Sequence, residues 1–175
     1  MRYLCTILLR NTYNYMDKKQ IKDAYFTTAL EGLQHAAYIE NDIILTEDIR
    51  NSPVHAEPRK MNFILVALCL RGTASYTVDT QQRTVCANDA ILISDGHVLD
   101  AYSVSADFKG IYMIMSVNFY HEVVKNVNDI SSMFLFAMNH PVVRLSEAET
   151  ALFSSYYNML RERPPTRPAT TDATW

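Results

Sequence analysis

The longest apolar run of the chain, MNFILVALCL at residues 61–70, is the feature that most constrains its fold. The length of this run alone suits either a buried helix or a buried strand. Arg71 and Gly72 close the run, and the TASYTVDT that follows alternates with period two, which favours a strand, a turn and a second strand. Short strands with turns about eight to twelve residues apart continue to residue 117, a pattern typical of an all-β sandwich or barrel.

Composition places the chain among ordinary globular proteins. Its 175 residues are enough to bury a substantial core, and its formal net charge of −3 offers no general attraction for nucleic acid. The three cysteines, Cys5, Cys69 and Cys86, are too scattered to indicate a disulfide framework or a metal knuckle. No apolar run reaches the length needed to span a membrane, so we expect no membrane contact and a cytoplasmic location.

Composition and periodicity divide the chain into five segments. Residues 1–15 form a leader of doubtful relevance, and residues 16–38 form a polar N-terminal arm that is loosely ordered or holds a short helix. Residues 39–145 carry the predicted strands together with short helices, and residues 146–163 carry a longer helix. Residues 164–175 are rich in Pro and Thr without periodicity, which predicts a disordered tail.

The helix predicted at residues 146–163 begins with a capping box, in which Ser146 is the N-cap and Glu149 follows three residues later. Apolar side chains recur along it at helical spacing and form one stripe. This stripe either packs against the strands of its own chain or pairs with a second subunit. In the second case the residues of the homodimer interface are Leu152, Tyr156, Met159 and Leu160.

Motifs for catalysis and metal binding are absent from the sequence. It holds no GxSxG, HExxH, P-loop or GxGxxG pattern. Its five histidines are never two, three or four residues apart, the spacing that metal ligands on one element usually have. The carboxylates of the β-region lie mostly at predicted turns, where they cap backbone amides. We therefore predict that the chain is not an enzyme and binds neither a cofactor nor a metal.

Four short motifs, in their order and spacing, resemble the N-terminal sensor domain of AraC/XylS-type transcriptional regulators, of the kind common in Bacteroides-like bacteria. They are GTASYT at residues 72–77, ND before an apolar strand, DFKG at 107–110 and NHPVV at 139–143. The resemblance covers residues 17–163. It implies a mainly β fold with C-terminal helices: a cupin-like barrel (a double-stranded β-helix or jelly roll) over residues 39–145, then a dimerisation helix. In the family a helix-turn-helix DNA-binding domain follows.

The stretch NDAILISDGH at residues 88–97 stands where the family has its second cupin motif. It departs from that motif, because Asn88 replaces a glycine and no proline precedes His97. The first cupin motif, with HxH and a later Glu, is absent, so a metal-dependent cupin enzyme is disfavoured. His97 is interpreted as a side chain at the mouth of the barrel that either hydrogen-bonds a ligand or has a structural role.

A small antiparallel barrel either fills its interior with side chains or holds one small molecule. Alternation along the apolar run puts Phe63 and Leu65 on one face and Ile64 and Val66 on the other, and leaves open which face is inside. Tyrosines are further candidates for a pocket lining, because their hydroxyls need partners when buried. The predicted ligand-binding residues are Phe63, Tyr76, His97, Tyr102 and Tyr112.

The tail PTRPATTDATW at residues 165–175 differs from the family, which continues there with a segment like A-D-T-x-x-H-Y-R-R-D-L. When plausible codons for this tail are read one frame over, they spell ADTASHYRRDL. We therefore expect a frameshift near residue 163 that removes the DNA-binding domain. Without its recognition helices and phosphate contacts, the 175-residue chain is not expected to bind DNA specifically.

The leading hypothesis is a ligand-sensing and dimerisation domain of an AraC-type regulator that lacks its DNA reader. Its partners are an unknown small-molecule effector and a second copy of the chain, with DNA reached only through the missing domain. The first alternative is a small cupin enzyme, such as a sugar isomerase or a metal dioxygenase. The second alternative is a stand-alone cupin binding module.

Overall fold

The computed structural model describes residues 21–29, 33, 35–49, 57–125 and 140–163. The predicted leader, the start of the N-terminal arm, the apolar segment at 133–138 and the predicted disordered tail lie outside these residues.

Strands dominate the described residues. In chain order the elements are β1 (Lys22–Tyr25), α1 (Phe26–Ala29), β2 (Ala37–Ile39), β3 (Ile43–Thr46), β4 (Arg59–Asn62), β5 (Ile64–Arg71), β6 (Thr73–Val78), β7 (Gln81–Cys86), β8 (Asp89–Ile93), β9 (Val98–Val104), β10 (Lys109–Met115), α2 (Val117–Lys125), β11 (Val142–Arg144) and α3 (Glu147–Arg161).

The strands form two sheets that face each other. One has the order β1-β4-β9-β6-β7 and the other the order β11-β8-β5-β10-β3-β2. The pair β1–β4 is parallel and the other pairs are antiparallel. The prediction of a mainly β, cupin-like jelly roll with C-terminal helices is confirmed. Within the described residues no strand pairing joins the two sheets, so the fold is a sandwich with open sides rather than a closed barrel.

Side chains from both sheets meet in a cluster between them, which we call the inner core. It receives contributions from nearly every strand, including the β1 segment at one edge and β7 at another. Its members are Ala24, Ala29, Ile44, Ile49, Met61, Phe63, Leu65, Ala67, Ala74, Tyr76, Val78, Val85, Ile91, Ile93, Leu99, Tyr112 and Ile114.

The apolar run at residues 61–70 crosses from one sheet to the other. It was expected to form one strand, but β4 ends at Asn62, Phe63 lies in a bend and β5 starts at Ile64. Phe63 is buried in the inner core, so its ring stays covered where the chain passes from one sheet to the other. The run contains buried residues of two consecutive strands that belong to different sheets. Its hydrophobicity is unbroken, so it does not reveal where one strand ends and the next begins.

Strand β5 is buried on both faces. Leu65 and Ala67 point into the inner core, whereas Leu68 belongs to a second cluster on the other side of the sheet. We call that second cluster the outer core; its members are Ile43, Leu45, Leu68, Ile111 and Tyr157. The alternation left open by the sequence is thereby resolved, because the face that carries Phe63 and Leu65 lies between the sheets.

The N-terminal arm contains a strand that sequence reasoning missed. The arm at residues 16–38 was expected to be loosely ordered or to hold a short helix; it does hold the short helix α1, but it also holds β1, which pairs in parallel register with β4 through Lys22 and Arg59. Of the four residues of β1 only Ala24 is buried, so KDAY shows no apolar alternation. Beyond the arm's first strand, β2 and β3 form an antiparallel hairpin.

Of the glycines Gly72, Gly96 and Gly110, the first two have positive φ angles, +75° and +85° respectively. Gly72 also has no room for a side chain, since a Cβ there would lie 2.8 Å from the Cα of Phe108. The third, Gly110, lies inside β10, beside a shift in strand register after Lys109. Asn88 takes the left-handed conformation at φ +72°, which asparagine tolerates better than most residues and which explains why it can stand in for glycine.

Helix α3 covers the outer core. The predicted capping box is confirmed: the Ser146 side chain accepts from the Glu149 N–H, and Glu149 bonds back to the Ser146 N–H at 2.7 Å. These bonds from Ser146 lower the pKa of Glu149. Tyr157 is the buried residue of α3, and burial raises its pKa to about 12. Phe153 and Leu160 pack partly buried beside it.

Tyr157→Ala should lower the free energy of unfolding by about 3 to 5 kcal/mol, because it leaves a cavity where the aromatic ring fills the outer core. Tyr157→Phe should change stability little, since within the described residues the Tyr157 hydroxyl has no hydrogen-bond partner. Urea unfolding followed by circular dichroism measures both. A cost below about 1 kcal/mol for Tyr157→Ala would show that α3 does not depend on this contact.

Candidate functional site

A polar cleft lies at the open side of the sandwich, between the β6–β7 hairpin of one sheet and β8 of the other. We call it the His97 cleft; its volume is about 200 Å³. Strand β7, which contributes Gln81 and Arg83 to the cleft, is an edge strand of its sheet. It is lined by Val78, Asp79, Gln81, Arg83, Leu92, Ile93, Ser94, His97 and Pro141.

Asp79 and His97 form a hydrogen-bonded pair in this cleft. Asp79 and Thr80 make the two-residue turn between β6 and β7, with φ angles of +47° and +72°. One oxygen of the Asp79 carboxylate accepts the Val98 N–H at 2.9 Å, and the other contacts Nδ1 of His97. The Val98 N–H, with a further contribution from His97, lowers the pKa of Asp79. Asp79 therefore fixes the orientation of the His97 ring.

Arg83 and Ser94 bring hydrogen-bond donors to the same cleft from opposite sheets. The Nη2 group of Arg83 donates to Gln81 at 2.5 Å, and no carboxylate pairs with Arg83 within the described part of the chain. Ser94 is only 3% exposed. Its hydroxyl and the Nε–H of Arg83 are both buried without a hydrogen-bond partner among the described residues. Such groups are unfavourable unless something bonds to them.

A second cleft, of about 300 Å³, lies at the opposite end of the strands, where β5 ends and β10 begins. We call it the tyrosine cleft because the hydroxyls of Tyr102 and Tyr112 meet there at 3.0 Å. Burial raises the pKa of Tyr112 far above its ordinary value, with a further increase from Tyr102. It is lined by Glu47, Asp48, Ile49, Leu70, Tyr102, Val104, Ser105, Ala106, Phe108, Lys109, Gly110, Ile111 and Tyr112.

A β-bulge in β9 directs Tyr102 into the tyrosine cleft. Thr77 pairs with Asp100 and Ser75 with Ser103, so two steps along β6 match three along β9. Ala101 takes up the extra residue with a φ of +52°. Simple alternation from the buried Leu99 would have turned Tyr102 outward, so the bulge reverses the side on which this tyrosine lies.

The five residues predicted to bind a ligand do not form one site. His97 lies in the His97 cleft, and Tyr102 and Tyr112 lie in the tyrosine cleft. Phe63 and Tyr76 are buried in the inner core and line neither cleft. Burial raises the pKa of Tyr76, whose hydroxyl has no partner among the described residues.

Sequence reasoning did not identify three other cleft residues, Asp79, Arg83 and Ser94. Asp79 was interpreted as an ordinary turn carboxylate, and it is 18 residues from His97 in sequence. Within the described residues no group of three His, Cys, Asp or Glu side chains is arranged to hold a metal ion. Cys69 is buried, and burial raises its pKa to about 11.

The outward face of α3 carries three of the four residues predicted to form a dimer interface. Leu152, Tyr156 and Met159 are each a little more than half exposed. The fourth, Leu160, is partly buried against the outer core. Leu160 therefore helps to attach α3 to its own chain, and the exposed stripe consists of the other three residues.

Comparisons with protein-family models and with curated proteins found no match. Among solved structures, the chain is similar to ToxT from Vibrio cholerae O395, with 17% identity, a TM-score of 0.39 and coverage of 58% of this chain and 41% of ToxT. It is also similar to oxalate decarboxylase from Bacillus subtilis, with 12% identity and a TM-score of 0.31; the match covers 47% of this chain and 27% of the decarboxylase. Vicilin from Corylus avellana is 16% identical, with a TM-score of 0.29, and the match covers 65% of this chain and 40% of vicilin.

The chain spans less than half the length of each of these three proteins. All three TM-scores lie below 0.5. In the part of the chain that the structure describes, no helix is long and apolar enough to cross a membrane.

Asp79→Asn should destabilise the fold near neutral pH, by less than about 1 kcal/mol because the side chain is half exposed. The folded-state pKa of Asp79 is lowered, so its contribution is complete above the ordinary value of 3.8 and is lost as pH falls through the lowered pKa. Urea unfolding at several pH values measures the difference from the unmodified chain.

Asp95→Asn, which removes an exposed carboxylate from the next turn, is the matched control. In acid Asp79 is protonated and uncharged, so the Asp79 variant and the unmodified chain should then unfold with the same free energy. A difference in the free energy of unfolding that persists unchanged in acid would contradict the role assigned to the Asp79 charge.

Proposed function

We propose that this chain is the ligand-sensing and dimerising domain of an AraC-type transcriptional regulator. It binds a small-molecule effector in the His97 cleft and pairs with a second copy of itself through the outward face of α3. The sequence motifs described above support the family assignment. The open-sided sandwich supports ligand binding, because such a site needs a concave surface with a few well-placed polar groups. DNA is contacted by a separate helix-turn-helix domain.

The observation that carries this proposal is the short path from the His97 cleft to α3. Pro141 lines the cleft, and its carbonyl accepts the N–H of Leu92 at 3.0 Å. Strand β11 begins at the next residue and pairs with β8. Ser146, the N-cap of α3, follows two residues after the end of β11. A ligand that moves the wall of the cleft therefore acts directly on the base of α3.

Arg144 fastens this path to the sheet. Its Nη1 group donates to the Ala87 carbonyl at 2.9 Å and to Asp89 at 2.8 Å. The other oxygen of the Asp89 carboxylate accepts the Cys86 N–H at 2.8 Å. Since Asp89 is nearly buried, these bonds hold β11 against β8, and displacement of one strand is transmitted to the other.

The exposed stripe of α3 suits self-association. Its members Leu152, Tyr156 and Met159 lie one or two turns apart on one face of a well-capped helix. Covering large apolar side chains contributes about 1.5 to 3 kcal/mol for each one. A two-fold symmetric pairing of α3 with its copy covers all three at once.

Leu152→Asp combined with Met159→Asp should convert the dimer into a folded monomer, because the carboxylates would be buried unpaired in the interface. Light scattering coupled to size exclusion, over a wide range of protein concentration, measures the change. Val123→Asp combined with Tyr38→Asp is the control, since both residues are exposed and apolar but belong to α2 and β2 rather than to α3. A strict monomer for the unmodified chain would contradict the dimerisation part of the proposal.

A small cupin enzyme, such as a sugar isomerase or a metal dioxygenase, is a second candidate. The Asp79–His97 pair favours it, because a carboxylate that orients an imidazole is a common arrangement for proton transfer. Elemental analysis of the purified chain separates the two candidates: a stoichiometric metal bound through His97 would support the enzyme and contradict the sensor.

A further inference from the structure

The chemistry of the His97 cleft indicates which class of ligand it takes, an inference that rests on the proposed function. We propose that the ligand is a small hydroxycarboxylate. Its carboxylate is held by Arg83 and Ser94, and its hydroxyl donates to His97.

Arg83 supplies the positive charge. A guanidinium carries five N–H donors in a planar fork that matches the two oxygens of a carboxylate. One group of Arg83 bonds to Gln81, and Nε–H is buried without a partner among the described residues. Gln81 lies two residues before Arg83 in the edge strand β7, so this bond extends the guanidinium along the strand toward the cleft rather than neutralising it.

Ser94 supplies a neutral donor from the opposite sheet. Its residue is 3% exposed and follows directly after β8, with a hydroxyl that has no hydrogen-bond partner among the described residues. A buried hydroxyl without a hydrogen-bond partner carries an energetic cost. A ligand oxygen that accepts from Ser94 removes this cost, and a carboxylate has a second oxygen for Arg83.

His97 sets the other end of the ligand. Because Nδ1 faces the Asp79 carboxylate, the neutral ring carries its proton on Nδ1 and presents Nε2 as an acceptor. An acceptor requires a donor, and a carboxylate provides none. A hydroxyl on the ligand meets this requirement, so the cleft distinguishes a hydroxycarboxylate from a simple carboxylate.

Size and charge restrict the ligand further. A cleft of about 200 Å³ is smaller than the sites of about 300 to 1,000 Å³ that hold drug-sized molecules, so it accommodates a ligand of few atoms. The Asp79 carboxylate lies in the same cleft as the Arg83 guanidinium. A phosphate dianion would meet repulsion from Asp79 that one arginine does not offset, whereas a monoanion matches one cation.

Isothermal titration calorimetry of the full chain with L-lactate tests the inference, at constant ionic strength and neutral pH. Propionate, which lacks the hydroxyl, lactamide, which lacks the charge, and inorganic phosphate are the comparison probes. We expect lactate to bind about tenfold or more tightly than each of them, since a hydrogen bond to a charged group contributes more than one between neutral groups.

Two variants assign the binding to the cleft. Arg83→Gln should weaken lactate binding by about tenfold to hundredfold and abolish the preference over lactamide. Ser94→Ala should weaken lactate binding by about tenfold while leaving thermal stability unchanged or higher, because no bond within the described chain is lost. Arg71→Gln is the matched control, since Arg71 pairs with Asp107 and lines neither cleft.

Equal binding of lactate and lactamide, or lactate binding that is the same in the Arg83 and Arg71 variants, overturns the inference. So does the absence of lactate binding to the folded chain. Those results leave the proposed function standing if the chain dimerises through α3, because the oligomeric state is measured without any ligand. A monomeric chain that binds lactate through Arg83 and Ser94 would support the ligand class and contradict the dimerisation instead.

Discussion

Strand β5 lies at the centre of the six-stranded sheet with one face in the inner core and the other in the outer core. Because side chains alternate along a strand, burial of Leu65 and Ala67 forces Leu68 to the opposite face, where it must also be covered. Tyr157 of α3 provides that cover. Once Tyr157 is fixed, helical periodicity turns Leu152 and Met159 away from the sheet. The exposed stripe on α3 is therefore a consequence of how β5 is buried.

The two ends of the sandwich satisfy their polar groups in different ways. In the tyrosine cleft the hydroxyls of Tyr102 and Tyr112 form a hydrogen bond with each other, so these groups find their partners within the chain. In the His97 cleft Asp79 and His97 contact each other, whereas the Nε–H of Arg83 and the hydroxyl of Ser94 have no hydrogen-bond partner among the described residues. Hydrogen-bond donors without a partner beside a concave surface are the pattern expected of a binding site. This pattern supports the proposed effector site at the open side of the sandwich.

The sequence predicts the regular part of this fold well and its irregular parts poorly. Strands β6 to β10 were predicted because period-two alternation and turn residues are local signals, and so was the Ser146 capping box. The break at Phe63, the bulge at Ala101 and the strand β1 were missed, because each depends on a pairing with a distant segment. His97 was identified from its turn, whereas Asp79, Arg83 and Ser94 enter the site only when the two sheets face each other.

The open side of the sandwich connects these features. Strand β7 is an edge, and edge strands avoid pairing with other chains by carrying polar and charged side chains, as Gln81, Gln82 and Arg83 do here. A β7 that paired with β11, the edge strand on that side of the six-stranded sheet, would close this side of the sandwich, but it would also bury the Arg83 charge without a partner. Keeping the edge open therefore leaves a charged guanidinium beside a gap between two sheets. Arg83, one of the polar side chains that protect the edge, is therefore also the cation of the cleft. Helix α3 begins only a few residues after Pro141, which lines the cleft.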